Sequence, residues 1–205
     1  LSANNSTVTK AFGIGQLNEE KAFNASIGFT FKKGGFTATV DAYSISVDDR
    51  IILTDNFTDQ AILGPLNVDA AQFFANGVDT KTTGVDIVLG YDTHVGKTGL
   101  IKVALIGNTN KLDIKKIHNG NLNEFTFFGP FSQAYLKAAA PDYKFGLNLG
   151  YSCSKFDANM SLTQFSDVTI QDFQWVDSPA TTQAEADALY PVATDIYKAS
   201  LVVDL

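Results

Sequence analysis

Strand-like segments in this chain are joined by connectors that alternate short and long. The short ones are Lys32-Lys33-Gly34-Gly35, the turn from Asp92 to Thr98 and the turn from Ser152 to Lys155. Between them lie long polar stretches after Leu53, after Leu112 and from about Ser166 to Thr194. An antiparallel meander gives this order when one rim of its sheet carries tight hairpins and the other carries elaborate loops. The expected fold is therefore all-β.

The segments themselves repeat with the period of two that a strand imposes on its side chains. The first sets Ala25, Ile27, Phe29 and Phe31 against Ser26, Gly28 and Thr30. The second begins at Phe36, and its apolar set moves from even to odd positions at Tyr43, Ile45 and Val47, through a bulge or because the strand leaves an apolar zone. The third centres on Val85, Ile87, Leu89 and Tyr91, and the fourth on Ile101, Val103 and Leu105. The fifth, Phe145, Leu147, Leu149 and Tyr151 against Lys144, Gly146, Asn148 and Gly150, is the cleanest. A sixth sets Phe156, Ala158, Met160 and Leu162 against Asp157, Asn159, Ser161 and Thr163. A seventh is expected over Tyr197, Ala199, Leu201 and Val203, and only Gln183 to Tyr190 reads as helical.

Two architectures fit this alternation. In a soluble barrel or sandwich the apolar face points into a core and the polar face meets water. In a transmembrane barrel the apolar face meets lipid and the polar face lines the lumen. The polar face here is built of small residues such as Gly28, Gly146, Asn148, Gly150, Asn159 and Ser161, with few of the Lys and Glu of a solvated sheet. Aromatics (Phe31, Phe36, Tyr91, Tyr151, Phe156) flank the short turns, where a barrel carries an interfacial girdle. Both features favour the membrane reading, and short turns on one rim with long loops on the other are how outer-membrane barrels are built. No apolar run of about 18 residues exists for a transmembrane helix, but a barrel strand crosses with only about 9–11 alternating residues. The chain opens on polar Leu1-Ser2-Ala3-Asn4-Asn5, so any export signal is expected upstream.

Composition removes other functions. The 205 residues carry a net charge of −7 with scattered Lys, which gives nucleic acid no basic patch. The single Cys153 builds neither a disulfide framework nor a thiolate metal site. Gly90 to Thr98 (GYDTHVGKT) has one residue too many between its glycines for a phosphate loop and runs on into a strand instead of a helix. Gly13-Ile14-Gly15 lacks the third glycine of a dinucleotide fingerprint. His94 and His118 have no metal-ligand spacing. Asp48-Asp49-Arg50 and Asp55 read as solvated loop charges, with ion pairs or a cation site as alternatives. No serine stands in a nucleophile elbow. The expectation is no enzyme, no metal and no cofactor.

Phe36 to Leu53 (FTATVDAYSISVDDRIIL) resembles the D-x-Y-x-I-x-x-x-D-R-I stretch of TonB-dependent outer-membrane receptors, through Asp41, Tyr43, Ile45, Asp49, Arg50 and Ile51. After a long loop, Phe74 to Asp86 resembles the family's asparagine-containing run ending in T-x-G-V-D, here Thr82, Gly84, Val85 and Asp86. Leu17 to Asn24 is similar to its L-x-P-E-x-S-x-N stretch, with Asn18 and Glu19 shifting or replacing the usual Pro. The resemblance covers about positions 12–205 and is strongest over 36–91. The family's plug domain, coupling box and closing strands are not visible. About seven strands cannot close a barrel that takes about 22 in such transporters.

The resemblance implies that residues 1–205 are an antiparallel meander forming part of a large transmembrane β-barrel in a Gram-negative outer membrane. It implies a receptor and transporter that takes up a scarce ligand of the siderophore, cobalamin, haem or glycan class. Its partners would be outer-membrane lipid, the imported ligand and, through the missing plug, a TonB-type energy-coupling protein. The loops near 54–77, 113–135 and 166–194 would hold the ligand contacts, with Phe57, Phe73, Phe127, Phe128, Phe173 and Trp175 as aromatic candidates that could equally pack the loops together. The alternatives are a soluble β-barrel or sandwich binding a small ligand in its mouth, and an adhesive β module.

Overall fold

The computed structural model describes residues 1–138, 140–171 and 182–205. Among them, β1 (Lys21–Lys33), β2 (Phe36–Leu53), β3 (Phe74–Val95), β4 (Gly99–Ile117), β5 (Tyr143–Cys153) and β6 (Phe156–Phe165) form an antiparallel meander in chain order. A small separate hairpin pairs β7 (Val168–Gln171) with β8 (Thr194–Tyr197), and β9 (Ser200–Asp204) closes the seven-stranded sheet beside β6. The three tight turns fall where the sequence puts them. Each sets one residue in the left-handed region, Gly34 at φ +58°, Gly96 at φ +64° and Ser154 at φ +55°.

Directly paired residues share a face of the sheet. One unbroken row across it reads Phe31, Ala38, Leu89, Leu105, Leu147, Leu162 and Val203. A neighbouring row on the opposite face reads Lys32, Thr37, Gly90, Ala104, Asn148, Ser161 and Asp204. The fold is thus the expected partial barrel meander, with a continuous apolar band on one side and a polar lining, interrupted by Val88 and Ile106, on the other. Phe29 is 66% exposed and Ile27 78% exposed on the apolar side. At its short-turn edge, Phe31 stacks near Phe36 and Tyr151 near Phe156, both pairs with ring centroids 6.3 Å apart.

The strands run well past that band. β3 is 22 residues long and β2 is 18, about twice what crossing a bilayer takes. Toward the long loops the polarity of the faces inverts. The side that was apolar now carries Ser44, Ser46, Lys81 and Thr83, and an ion-pair ladder in which Asp113 meets Lys111 at 3.6 Å and Lys115 at 3.2 Å. The side that was polar now carries Tyr43, Ile45, Val47, Leu112 and Ile114. This decides the phase shift at Tyr43. Its pairs with Ser26 and Gly84 are regular, so the strand is leaving the apolar zone. The bulge lies further on, between Val47 and Ile51.

Three expectations change. The fourth strand does not stop at Leu112 but continues to Ile117, because its inward residues there pack against the loops. The seventh strand splits at Lys198-Ala199, since Tyr197 belongs to the β7–β8 hairpin while Leu201 and Val203 continue the sheet. Helices are also more numerous than expected. Besides α5 (Gln183–Ala193), whose start carries the Thr182/Glu185 capping box, there are α1 (Thr7–Ala11), α2 (Gln60–Leu63), α3 (Glu124–Phe128) and α4 (Pro130–Lys137). All but α5 are eight residues or shorter, too short to leave a helical period in the sequence.

Candidate functional site: the loop cluster at the long rim

Where the strands emerge from the apolar band, local hydrogen bonds fix how the loops begin. Asp49 adopts φ +56° at the bulge. Its N–H donates to Asp79 Oδ1 at 3.0 Å, and its carbonyl accepts from Asn76 Nδ2 at 2.7 Å. Asn76 also binds the main chain of Asn18 in both directions, at 2.8 and 2.9 Å. Glu20 accepts from the Ile51 N–H at 2.7 Å. Asp49 and Asn76, prominent in the motif stretches, therefore hold the bulge and bring the N-terminal segment against it. His118 Nε2 lies 2.8 Å from the same Asp79 oxygen. Asp49, Asp79 and His118 thus form a group that sequence spacing did not suggest. Their mutual hydrogen bonds account for their positions.

Above this frame the loops make the core of the described structure. Phe12, beyond α1, packs on Phe57 at 4.9 Å and Phe73 at 5.4 Å, and Phe57 meets Phe73 at 5.6 Å between centroids. Leu63, Ala71, Val78, Phe127 and Phe128 complete the cluster around Ile52 and Ala75. The loop after β2 is tied to itself by the Phe57–Ala71 bridge and by the Phe73 N–H donating to Thr54 Oγ1 at 3.0 Å.

α3 is started by Asn123, whose side chain accepts from the N–H groups of Phe125 and Thr126. α4 starts at Gly129-Pro130, and glycine has no side chain with which to cap it. Asp55, from the preceding loop, supplies the missing acceptor. Its Oδ2 takes the Gly129 N–H at 2.7 Å, and its Oδ1 takes the Ser132 hydroxyl. Helix N-termini favour an anion in this position. Burial pushes the Asp55 carboxyl above its ordinary range, with the Ser132 and Gly129 bonds opposing that rise. Asp55 is therefore a clasp between two loops and not a solvated loop charge.

The clasp forms one wall of a cavity of about 840 Å³ between the end of β2, the start of its loop, and α3 with α4. Phe125, Phe128, Phe131, Tyr135 and Leu136 give it an apolar side, and Arg50, Asn56, Thr58 and Gln72 give it polar groups. That volume suits a drug-sized ligand.

The aromatic candidates are sorted by this packing. Phe57, Phe73 and Phe127 are 4%, 0% and 2% exposed, so their bulk joins the loops to one another. Phe128 is equally buried but borders the cavity. Phe173 and Trp175 lie outside the described residues. Sequence reading placed Arg50, the only arginine in the chain, among the loop charges and did not single out Tyr135.

A family model described as TonB dependent receptor-like, β-barrel, matches residues 2–204. The chain belongs to this family. No curated protein matched it in a separate comparison. Members of the TonB-dependent receptor family are β-barrel receptors and transporters of the outer membrane and not enzymes. The seven-stranded antiparallel meander is consistent with part of that family's barrel wall.

Proposed function

We propose that residues 1–205 are part of the barrel of a Gram-negative outer-membrane receptor that imports a scarce ligand by TonB-energised transport. The observation that carries this reading is the inversion of polarity along β2–β4, considered together with the family match. An apolar belt flanked by aromatics suits lipid, and the packed, apolar-cored loops beyond it suit an outer mouth that must hold a shape in water. In this reading the barrel continues beyond the free edges of β1 and β9, since an open sheet edge is not tolerated in a bilayer. A plug would occupy the lumen and connect the receptor to the coupling protein. The ligand would be captured by the long loops, from a siderophore, cobalamin, haem or glycan class of cargo.

The test is uptake by the full-length receptor in cells with and without a proton gradient, and with the coupling protein deleted. Uptake should stop in both cases. Undiminished uptake in de-energised cells would make the protein a passive pore. Deleting residues 167–193 should weaken capture while leaving the barrel in the membrane. Unchanged capture would move the contacts to the plug or to other strands.

A further inference from the structure

Arg50 is the only arginine of a chain with net charge −7, and it lines the loop cavity at the bulge of β2. It is half-buried, and among the described residues its guanidinium enters no ion pair. Its one hydrogen bond there is a long one, 3.4 Å to the hydroxyl of Thr80. A guanidinium has five donors in a fixed fork, so among the described residues most of its donor capacity has no protein acceptor. Desolvating a guanidinium further is unfavourable unless an acceptor takes its donors.

The carboxylate of the same cavity does not fill that role. Both oxygens of Asp55 are taken by Gly129 and Ser132. Opposite lie apolar and aromatic side chains, among them Phe128 and Tyr135. Tyr135 is 70% exposed, an aromatic ring held at the cavity with its surface uncovered.

We propose that this cavity is a capture subsite for an amphipathic organic anion, a carboxylate or sulfonate borne on an aromatic or hydrophobic body. Arg50 takes the acidic group through two parallel N–H···O bonds, and the Phe128–Tyr135 side takes the apolar body. The proposal rests on the receptor reading above and narrows the chemistry of its cargo to ligands with an anionic and an apolar end.

The test is equilibrium binding to the full-length receptor in lipid nanodiscs, with 1-naphthoate and its neutral isostere 1-naphthamide as probes. The wild type should bind the anion at least about tenfold more tightly than the amide, as expected for a charge-assisted bidentate contact. Arg50→Gln should abolish that preference by weakening naphthoate alone, and Arg50→Lys should restore part of it. Tyr135→Ala, at an exposed position, should weaken both probes alike. Equal affinity of the wild type for the two probes overturns the proposal without use of any variant, so a folding defect in Arg50→Gln cannot protect it. A preference that survives Arg50→Gln overturns it as well. Binding is read at equilibrium, so passive uptake in de-energised cells would remove the energised-import reading and leave this one standing.

Discussion

Replacing Leu147 with Arg should destabilise the barrel, whereas the same change one residue later should be tolerated. Leu147 lies in the apolar row between Leu105 and Leu162. It is four residues from Tyr143 and four from Tyr151 on its own strand. At about 3.3 Å per residue that is ~13 Å to either aromatic, close to the middle of an apolar belt about 25 Å tall. A cation there is placed at maximal depth in hydrocarbon, at a cost of about 2–4 kcal/mol. Asn148 points the other way, between Ala104 and Ser161, and its side chain accepts from Ser161 Oγ at 2.7 Å. Asn148→Arg forfeits that bond, about 1 kcal/mol, and places the cation toward the lumen. The expected difference between the two variants is therefore about 1–3 kcal/mol. Urea titrations of the receptor refolded into lipid vesicles would measure it. Equal midpoints, or an Asn148 variant less stable than the Leu147 variant, would refute the assignment of faces.

Gly84→Ala should cost about 1–3 kcal/mol by overpacking, because a Cβ there would lie 2.3 Å from the Tyr43 ring and 2.5 Å from the Thr109 carbonyl. Gly146→Ala, whose Cβ would meet nothing nearer than 3.9 Å, should be neutral in the same titration. Asp55→Ala should leave the Gly129 N–H and Ser132 hydroxyl without their acceptor and lower the exchange protection of α4 by about 1–3 kcal/mol; unchanged protection would deny the clasp. Because the Asp55 carboxyl is raised in the folded loops from its ordinary 3.8, the protonation-linked part of its contribution to loop docking should be fully present below that value and lost as pH rises through the raised one, with the two accepted hydrogen bonds remaining. Asp55→Asn should flatten that dependence when α4 exchange is corrected for intrinsic rate. In a Cys153→Ser background, an impermeant thiol reagent on intact cells should label Asn121→Cys and spare Gly96→Cys, and the reverse pattern would invert the topology.

The residues alone determine much of this protein. Alternation of period two specifies each strand and sorts Phe145, Leu147 and Leu149 from Lys144, Asn148 and Gly150, because a strand's side chains leave it on opposite sides whatever surrounds it. The turns at Gly34, Gly96 and Ser154 are equally local, since a hairpin's geometry is set by a few dihedrals. The motif stretches around Asp41–Ile51 and Thr82–Asp86 point to the family that the model match then established. What period two leaves open is which medium each face meets. That answer changes along a single strand, with Val40 in the apolar band and Tyr43 turned inward below the loops. Only the pairing of neighbouring strands reveals the change as an inversion and not a bulge. The loop core is likewise tertiary. Phe12, Phe57, Phe73 and Phe127 come from three distant segments, and sequence alone leaves open whether Phe57, Phe73 and Phe127 meet a ligand or pack the loops together. Asp55 and Arg50 look like ordinary loop charges until Gly129 and Ser132 occupy the first and no described carboxylate pairs with the second. Whether a charge is solvated, clasped or left open depends on which distant groups desolvate it, a property of the assembled loops and not of any residue's neighbours in the chain.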